Sequence, residues 1–199
     1  NRNVFCENDA NCFTLSEAFD GSAKDFKTVF GIILGSGCGG GLVINKKILI
    51  GPNLFTGEWG HIPVGKPNSE HNIEEYISGK GLERRFYLKF KKKLTAKKIF
   101  ENARNKKKNE SEIVEEFKKK LARGLSLIIN VIDPEAIVFG GGLSNELISL
   151  DEIKKITEKY LSNFNNIKKF NLKTEFLKPK FGDSSGVRGA AVLSKLNTI

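Results

Sequence analysis

Two glycine-rich turns and two small groups of carboxylate, amide and imidazole side chains are the parts of this sequence that could do chemistry. The run Leu34-Gly35-Ser36-Gly37-Cys38-Gly39-Gly40-Gly41 places five glycines in the seven positions after Leu34. Without Cβ atoms in the way, successive backbone N–H groups can face one small anion, which suits the β- and γ-phosphates of a nucleotide. No Lys-Ser/Thr follows, and the run does not open a helix, so it is neither a Walker A loop nor a dinucleotide fingerprint. The same glycines also suit a hairpin built only for tight packing. A second run, Gly140-Gly141-Gly142, follows the apolar segment Ala136–Phe139. Ligands of open α/β sheets bind beyond the carboxyl ends of the strands, so a nucleotide held between the two glycine-rich ends is expected. The competing reading of the second run is a simple strand-to-helix turn.

Asn8-Asp9 stands just before a helical segment. A carboxylate near a helix N-terminus stays ionised and can accept a hydroxyl proton; an Asp there also serves as an ordinary helix cap. Gly57-Glu58-Trp59-Gly60-His61 sets a carboxylate and an imidazole three residues apart between glycines, a grouping suited to sugar hydroxyls. Trp59 is expected to be core or a packing platform.

These groups need a scaffold, and the hydrophobic pattern supplies one. Strands are expected at Arg2–Glu7, Thr28–Leu34, Gly40–Ile44, Lys46–Ile50, Ala136–Phe139 and Leu172–Leu177, with a tight turn at Asn45. Helices are expected at Ala10–Phe19, Ile73–Ser78, Gly81–Lys93, Thr95–Arg104, Leu150–Phe164 and Ser185–Leu196. The clearest helix is Asn109–Ile132, where Ile113, Phe117, Leu121, Leu125, Ile128 and Ile132 form one stripe of a 3.6-residue period. Asn109 with Glu112 reads as a capping box, and Pro134 marks the far end. Strands interleaved with helices indicate an α/β architecture.

Composition narrows the function. The chain has 199 residues, 39% apolar and 28% charged, enough for a real core. No apolar run approaches the roughly 20 residues that span a bilayer, and no signal peptide is visible, so a cytoplasmic protein without a membrane partner is expected. The net charge of +10 lies largely in lysine runs such as Lys91–Lys93, Lys106–Lys108 and Lys118–Lys120. With few aromatics among them and no arginine fork, they read as solvated helix faces and not as a nucleic-acid interface. Cys6, Cys12 and Cys38 have neither disulfide nor metal spacing and are expected to be free buried thiols. The chain contains no Met and opens on a strand-like run, from which a further N-terminal portion is expected.

Asn8–Cys12, Leu34–Gly41, Gly57–His61, Ile73–Gly81 (IEEYISGKG), Asp133-Pro134, Gly140–Asn145 and Gly182–Ala191 (GDSSGVRGAA) occur in this order. Together they resemble the ROK (repressor, ORF, kinase) sugar kinases, across essentially the whole chain. The resemblance implies an actin-like (ribonuclease H-like) ATPase domain with a mixed sheet flanked by helices. It implies Asp9 as the base that deprotonates the sugar hydroxyl attacking ATP. Asn8, Glu58, His61 and Glu74 match the sugar-hydroxyl ligands. Gly35, Ser36, Gly37, Gly39 and Gly40 match the phosphate hairpin, and Gly140, Gly141, Gly142 and Leu143 lie where the adenosine is held. ATP and Mg²⁺ are the implied cofactors and a homodimer the implied assembly.

Two features depart from the family. Its Asp-x-Gly-Gly-Thr phosphate loop is absent, so residues 1–199 are expected to be a C-terminal, sugar- and ATP-binding part, inactive alone. Its Cys-x-Cys-Gly-x-x-Gly-Cys zinc module is also absent: Ile62–Ile73 contains no Cys, and His61 is the only retained ligand position. No zinc is therefore expected. The expected reaction is phosphorylation of a hexose. Gly-Ser-Gly-Cys-Gly, Gly57–His61 and Gly182–Arg188 favour fructose, whereas Asn8–Ala18 and Gly39–Leu42 resemble the N-acetylglucosamine kinases equally. A sugar-binding ROK repressor is the remaining alternative.

Overall fold

Thr28–Leu34 (β1) is rich in β-branched and aromatic residues, and its alternate side chains bury on opposite faces. Phe30, Ile32 and Leu34 join one apolar core, while Val29 and Ile33 join another. Ala136–Gly140 (β4) repeats the pattern, with Ile137 and Phe139 on the first face and Ala136 and Val138 on the second. A strand buried on both sides needs a layer of helices on each face.

The computed structural model describes residues 4–64, 72–146, 149–164 and 170–196 and supplies those layers. With Cys38–Ile44 (β2), Lys47–Ile48 (β3) and Glu175–Leu177 (β5), the sheet runs β3-β2-β1-β4-β5. The first three strands form an antiparallel meander, and β4 and β5 are parallel to β1. Asp9–Phe19 (α1) and Ser185–Leu196 (α7) cover the second face. Glu74–Ile77 (α2), Gly79–Phe90 (α3), Ala96–Arg104 (α4), Lys108–Ile132 (α5) and Leu150–Phe164 (α6) build up the first.

The stripe expected on α5 buries Ile113, Phe117, Leu121, Leu125 and Ile128 in the same core as Phe30, Ile32 and Phe139 of the sheet. Helix α1 lies unusually close to the sheet because β1 and β2 carry Gly31 and Gly41 beneath it. A Cβ at either position would overlap the Thr14 hydroxyl, which itself donates to the Ala10 carbonyl at 2.7 Å. The β2–β3 turn puts Asn45 and Lys46 both at positive φ, 50° and 63°. That is the sense of twist a two-residue hairpin demands. Lys46 tolerates it while its ammonium donates to the carbonyls of Ala18 and Lys24.

Several expectations are corrected. Residues 4–8 form no strand, because no sheet strand among the described residues pairs with them, and Val4 is 87% exposed. Helix α5 starts one residue before Asn109, behind Lys107, and no side chain caps it. Asn109 therefore lies inside the helix instead of at a capping box. Of Leu172–Leu177 only the last three residues pair, and of Lys46–Ile50 only two. Of the three thiols Cys12 is buried, Cys38 half-buried and Cys6 exposed.

Candidate functional site

The parallel pair β1–β4 ends with Ile33 beside Gly140, at the carboxyl ends of the two strands. Beyond those ends lies a cavity of about 530 Å³, lined on one side by Gly35 and Ser36 and on the other by Gly142 and Leu143. Its remaining wall comes from α3 and α4, with Gly79, Lys80, Glu83, Ala96 and Lys97, and from Glu146. The chain is tied across these ends by the Leu143 N–H on the Leu34 carbonyl at 2.9 Å and the Gly79 N–H on the Gly35 carbonyl at 2.8 Å. Arg104 pairs with Glu146 at 2.8 Å, anchoring the far rim to α4.

The two glycine runs therefore meet as expected, but their glycines divide into two kinds. A Cβ built on Gly35 or Gly142 meets nothing within 4 Å, so a side chain there would project into open space beside the cavity. The others are held in packing. Gly40 is pressed on the Gly57 carbonyl, Trp59 and Phe30, Gly39 on Ala10, and Gly140 on the Phe13 ring. Gly37 faces the Glu74 carboxylate. Gly141 has φ +84° with its Cα against the Leu34 backbone, a conformation that favours glycine. Gly35, Ser36, Gly142 and Leu143 line the cavity; Gly37, Gly39, Gly40, Gly140 and Gly141 shape the turns behind it. Glycine backbone on two sides can take a nucleotide's phosphates, and the third wall sets Lys80 and Lys97 beside Glu83, which accepts the Ala96 N–H, and Glu146, which pairs with Arg104.

A smaller cavity of about 350 Å³ is lined by residues that include Glu7, Asn8, Asn11, Leu49, Thr56 and Glu58. Asn8 caps α1, its side chain accepting the Ala10 N–H at 2.9 Å. Asp9, the first residue of the helix, is exposed and accepts the same N–H at 2.8 Å; among the described residues it has no cationic partner. Asn8 is the cap, and Asp9 shares its Ala10 N–H donor. Gly39 at the start of β2 abuts Ala10, so the turn carrying Asp9 stands next to the hairpin.

Glu58 and His61 lie on one short 3₁₀ turn, with Nε2 and Oε2 3.5 Å apart and both side chains exposed. Trp59 between them turns the other way: it is 3% exposed, lies edge-on to Phe30, and donates its indole N–H to the Gly39 carbonyl at 3.1 Å. It is core. Glu74 opens α2, and its Oε2 accepts the Cys38 backbone N–H at 2.7 Å. Burial first, then the nearby charges of Glu74 and Glu58, push the Cys38 thiol pKa well above its ordinary value. Both carboxylates thus lie near Cys38 at the tip of the hairpin, and Glu74 bonds to it.

No group of three or more His, Cys, Asp or Glu side chains among the described residues could hold a metal ion. Residues 65–71, which include His71, lie outside the described residues. The donor set described here does not fit a structural zinc site, which takes four ligands.

Lys80, Lys97, Glu83 and Glu146 were not singled out by sequence. A signal was present for Lys80, which sits between two glycines in Ser78-Gly79-Lys80-Gly81 at the start of α3, with the Ser78 hydroxyl capping Gly81 at 3.0 Å. Lys97 and Glu146 carry no local mark; the packing of α4 on α3 and α5 brings in Lys97, and Glu146 follows β4 and pairs with Arg104 of α4.

The model of the ROK family matches residues 1–197. The N-acetyl-D-glucosamine kinase of Yersinia enterocolitica serotype O:8 / biotype 1B is 37% identical over 208 residues, which cover 96% of this chain and 67% of that protein. The crystal structure of a ROK hexokinase from Thermus thermophilus superposes with TM-score 0.83 at 24% identity, covering 98% of this chain and 66% of that one. A ROK family glucokinase from Streptomyces griseus, in complex with glucose and AMPPNP, gives TM-score 0.80 at 28% identity, over 96% of this chain and 67% of that one. This chain thus spans about two thirds of the length of the proteins it matches. With the family matched from end to end and its glycine-rich strand ends meeting at one cavity, the chain belongs to the ROK family and has the actin-like ATPase fold of its sugar kinases.

Proposed function

We propose that the protein is an ATP-dependent kinase of N-acetyl-D-glucosamine, moving the γ-phosphate to a sugar hydroxyl. The observation that carries this reading is the meeting of the two glycine-rich strand ends, through Gly35, Ser36, Gly142 and Leu143, at one cavity whose wall holds Lys80 and Lys97 beside Glu83 and Glu146. A second cavity is lined by the amides of Asn8 and Asn11 and the carboxylates of Glu7 and Glu58. N-acetyl-D-glucosamine replaces fructose as the first choice because the curated relative cited above carries that name at 37% identity. The sequence motifs favour fructose, and this relative's name and identity overturn that choice.

In this reading Asn8, Glu58, His61 and Glu74 bind sugar hydroxyls, and Asp9 accepts the proton of the attacking hydroxyl. A carboxylate is suited to that task when no other cation holds it, and Asp9 is exposed with its helix already capped by Asn8. Gly35, Ser36, Gly142 and Leu143 cradle the nucleotide, with the remaining glycines shaping the two turns. Lys80 and Lys97 offset phosphate charge from the third wall. ATP supplies the phosphoryl group and Mg²⁺ accompanies it; the protein's share is positioning and charge neutralisation. The chain is the sugar- and ATP-binding part of a cytoplasmic protein, and the resemblance implies a homodimer.

A coupled ATP-consumption assay of the complete protein over a hexose panel tests the reading. Turnover should be highest with N-acetyl-D-glucosamine and lower with glucose and fructose. A preference for fructose would restore the other sugar, and no turnover with any hexose would remove the kinase assignment.

A further inference from the structure

Asp9, the base in the reading above, follows a turn that no strand ladder holds, since residues 4–8 pair with none of the described strands. Besides the bonds of α1 itself, a brace of side chains fixes that turn. Glu7 Oε1 accepts the Asn8 backbone N–H at 2.8 Å and the Asn11 side-chain amide, Nδ2, at 2.9 Å. Asn11 is 8% exposed and lies against β2: a Cβ on Gly41 would come within 2.9 Å of Asn11 Oδ1. The brace therefore runs from the sheet through buried Asn11 and half-buried Glu7 to Asn8, the residue before Asp9. Glu7 and Asn11 also line the smaller cavity, together with Asn8 and Glu58.

An amide at position 11 works against folding on one side. Its Oδ1 is buried and has no hydrogen-bond partner among the described residues, and an unpaired buried carbonyl destabilises the folded state. An apolar side chain of like size would not carry that penalty, so what the amide supplies is its Nδ2 bond to Glu7. We propose that Glu7 and Asn11 are positioning residues for phosphoryl transfer, setting the direction in which Asn8 and Asp9 present their side chains to the sugar. This rests on the kinase reading above and goes beyond it by assigning two residues to the alignment of the base. Alignment matters at this scale: a misplacement of about 1 Å can lower a rate by about 10²-fold.

The test is steady-state kinetics of the complete protein with N-acetyl-D-glucosamine and ATP, beside melting curves. Glu7→Ala should lower kcat by about tenfold or more. It should leave the KM for ATP unchanged, because the two cavities share no lining residue. Glu7→Gln keeps an oxygen acceptor of the same reach and should recover most of the lost kcat. Asn11→Ala should lower kcat as Glu7→Ala does, and the two together should do little more than either alone, since both break one brace. A purely structural role would instead lower the melting temperature and leave the turnover of the folded enzyme alone. Native kcat in Glu7→Ala, a loss in Glu7→Gln as large as in Glu7→Ala, or additive losses in the double variant overturns the positioning role. A native protein that turns over no hexose overturns the kinase reading, and this role with it.

Discussion

Helix α1 carries two carboxylates eight residues apart, and they are placed in opposite ways. Asp9 at its N-terminus is exposed, with no cation beside it among the described residues. Glu17 near its C-terminus is 0% exposed and fully engaged. It accepts from the Ser22 N–H at 2.9 Å, the Lys180 N–H at 3.0 Å, the Phe181 N–H at 3.3 Å and the Ser185 hydroxyl at 2.7 Å. An ionised group is normally kept out of the interior unless its hydrogen bonds are made in full. Glu17 meets that condition by binding a segment more than 160 residues away, and so ties α1 to the turn that begins α7. The same residue class thus does two jobs on one helix. The end next to the hairpin leaves its carboxylate exposed, and the end facing α7 spends its carboxylate on the fold.

The sharpest way to break this contrast is Asp9→Asn. In the proposed mechanism it removes the group that accepts the sugar's proton, a contribution of typically about 10²–10⁴-fold in kcat. Thermal stability should barely move, because Asn8 is the cap and α1 loses none of its backbone partners. Near-normal turnover in steady-state kinetics would return Asp9 to an ordinary place in the first turn.

Glu17→Ala should behave in the reverse manner. It leaves buried donors on Ser22, Lys180, Phe181 and Ser185 without their acceptor, a loss of about 1–3 kcal/mol in stability for such groups. Turnover per folded molecule at moderate temperature should stay close to native. Burial alone would raise the Glu17 pKa, but the four hydrogen bonds outweigh it and hold the carboxyl below its ordinary value. A depressed folded-state pKa gives stability that is present above the unfolded value, about 4.3 for Glu, and lost as pH falls through the folded one. Melting temperature followed from neutral pH downward should therefore drop in the native protein below about pH 4, and Glu17→Gln should remove part of that slope. Identical acid profiles for the two would show that other carboxylates carry the acid sensitivity.

The same division explains how much could be read from sequence. Features written in local spacing were legible: the apolar stripe of α5, the alternation in β1 and β4, and both glycine-rich strand ends. Features that depend on a distant partner were not. Glu17 looks like one more polar residue on a helix, because its partners near Lys180 are invisible to any local window. The Glu74 bond to Cys38 spans 36 residues. Lys97 and Glu146 line the cavity beyond β1 and β4 only once α4 has packed on α3 and α5. Residues 4–8 failed in the other direction: their apolar run satisfies a strand pattern, but a strand exists only when another pairs with it. Among the glycines, spacing marked the runs correctly but could not separate Gly35 and Gly142, which face open space, from Gly40 and Gly140, which are packed tight.

The mildest probe of the contrast lies at the outer edge of the Glu17 clamp. Arg188 of α7 pairs with Asp20, just past α1, at 2.7 Å, and its guanidinium lies 3.7 Å from the centroid of the Phe181 ring. This contact joins the same two elements as Glu17, but its side chains are 43% and 46% exposed. Water and salt screen an exposed pair, so it contributes about 0.2–1 kcal/mol, and the ring stack adds about 0.5–1 kcal/mol at such a site. Arg188→Lys keeps the charge but loses the planar stack, because an ammonium has no flat face to lay on Phe181. Chemical denaturation should therefore show a loss of no more than about 1 kcal/mol, distinctly below that of Glu17→Ala, with the mutant's remaining pair weakened by added salt. A loss as large as that of Glu17→Ala would mean that the exposed contact, and not the buried carboxylate, holds α7 against α1.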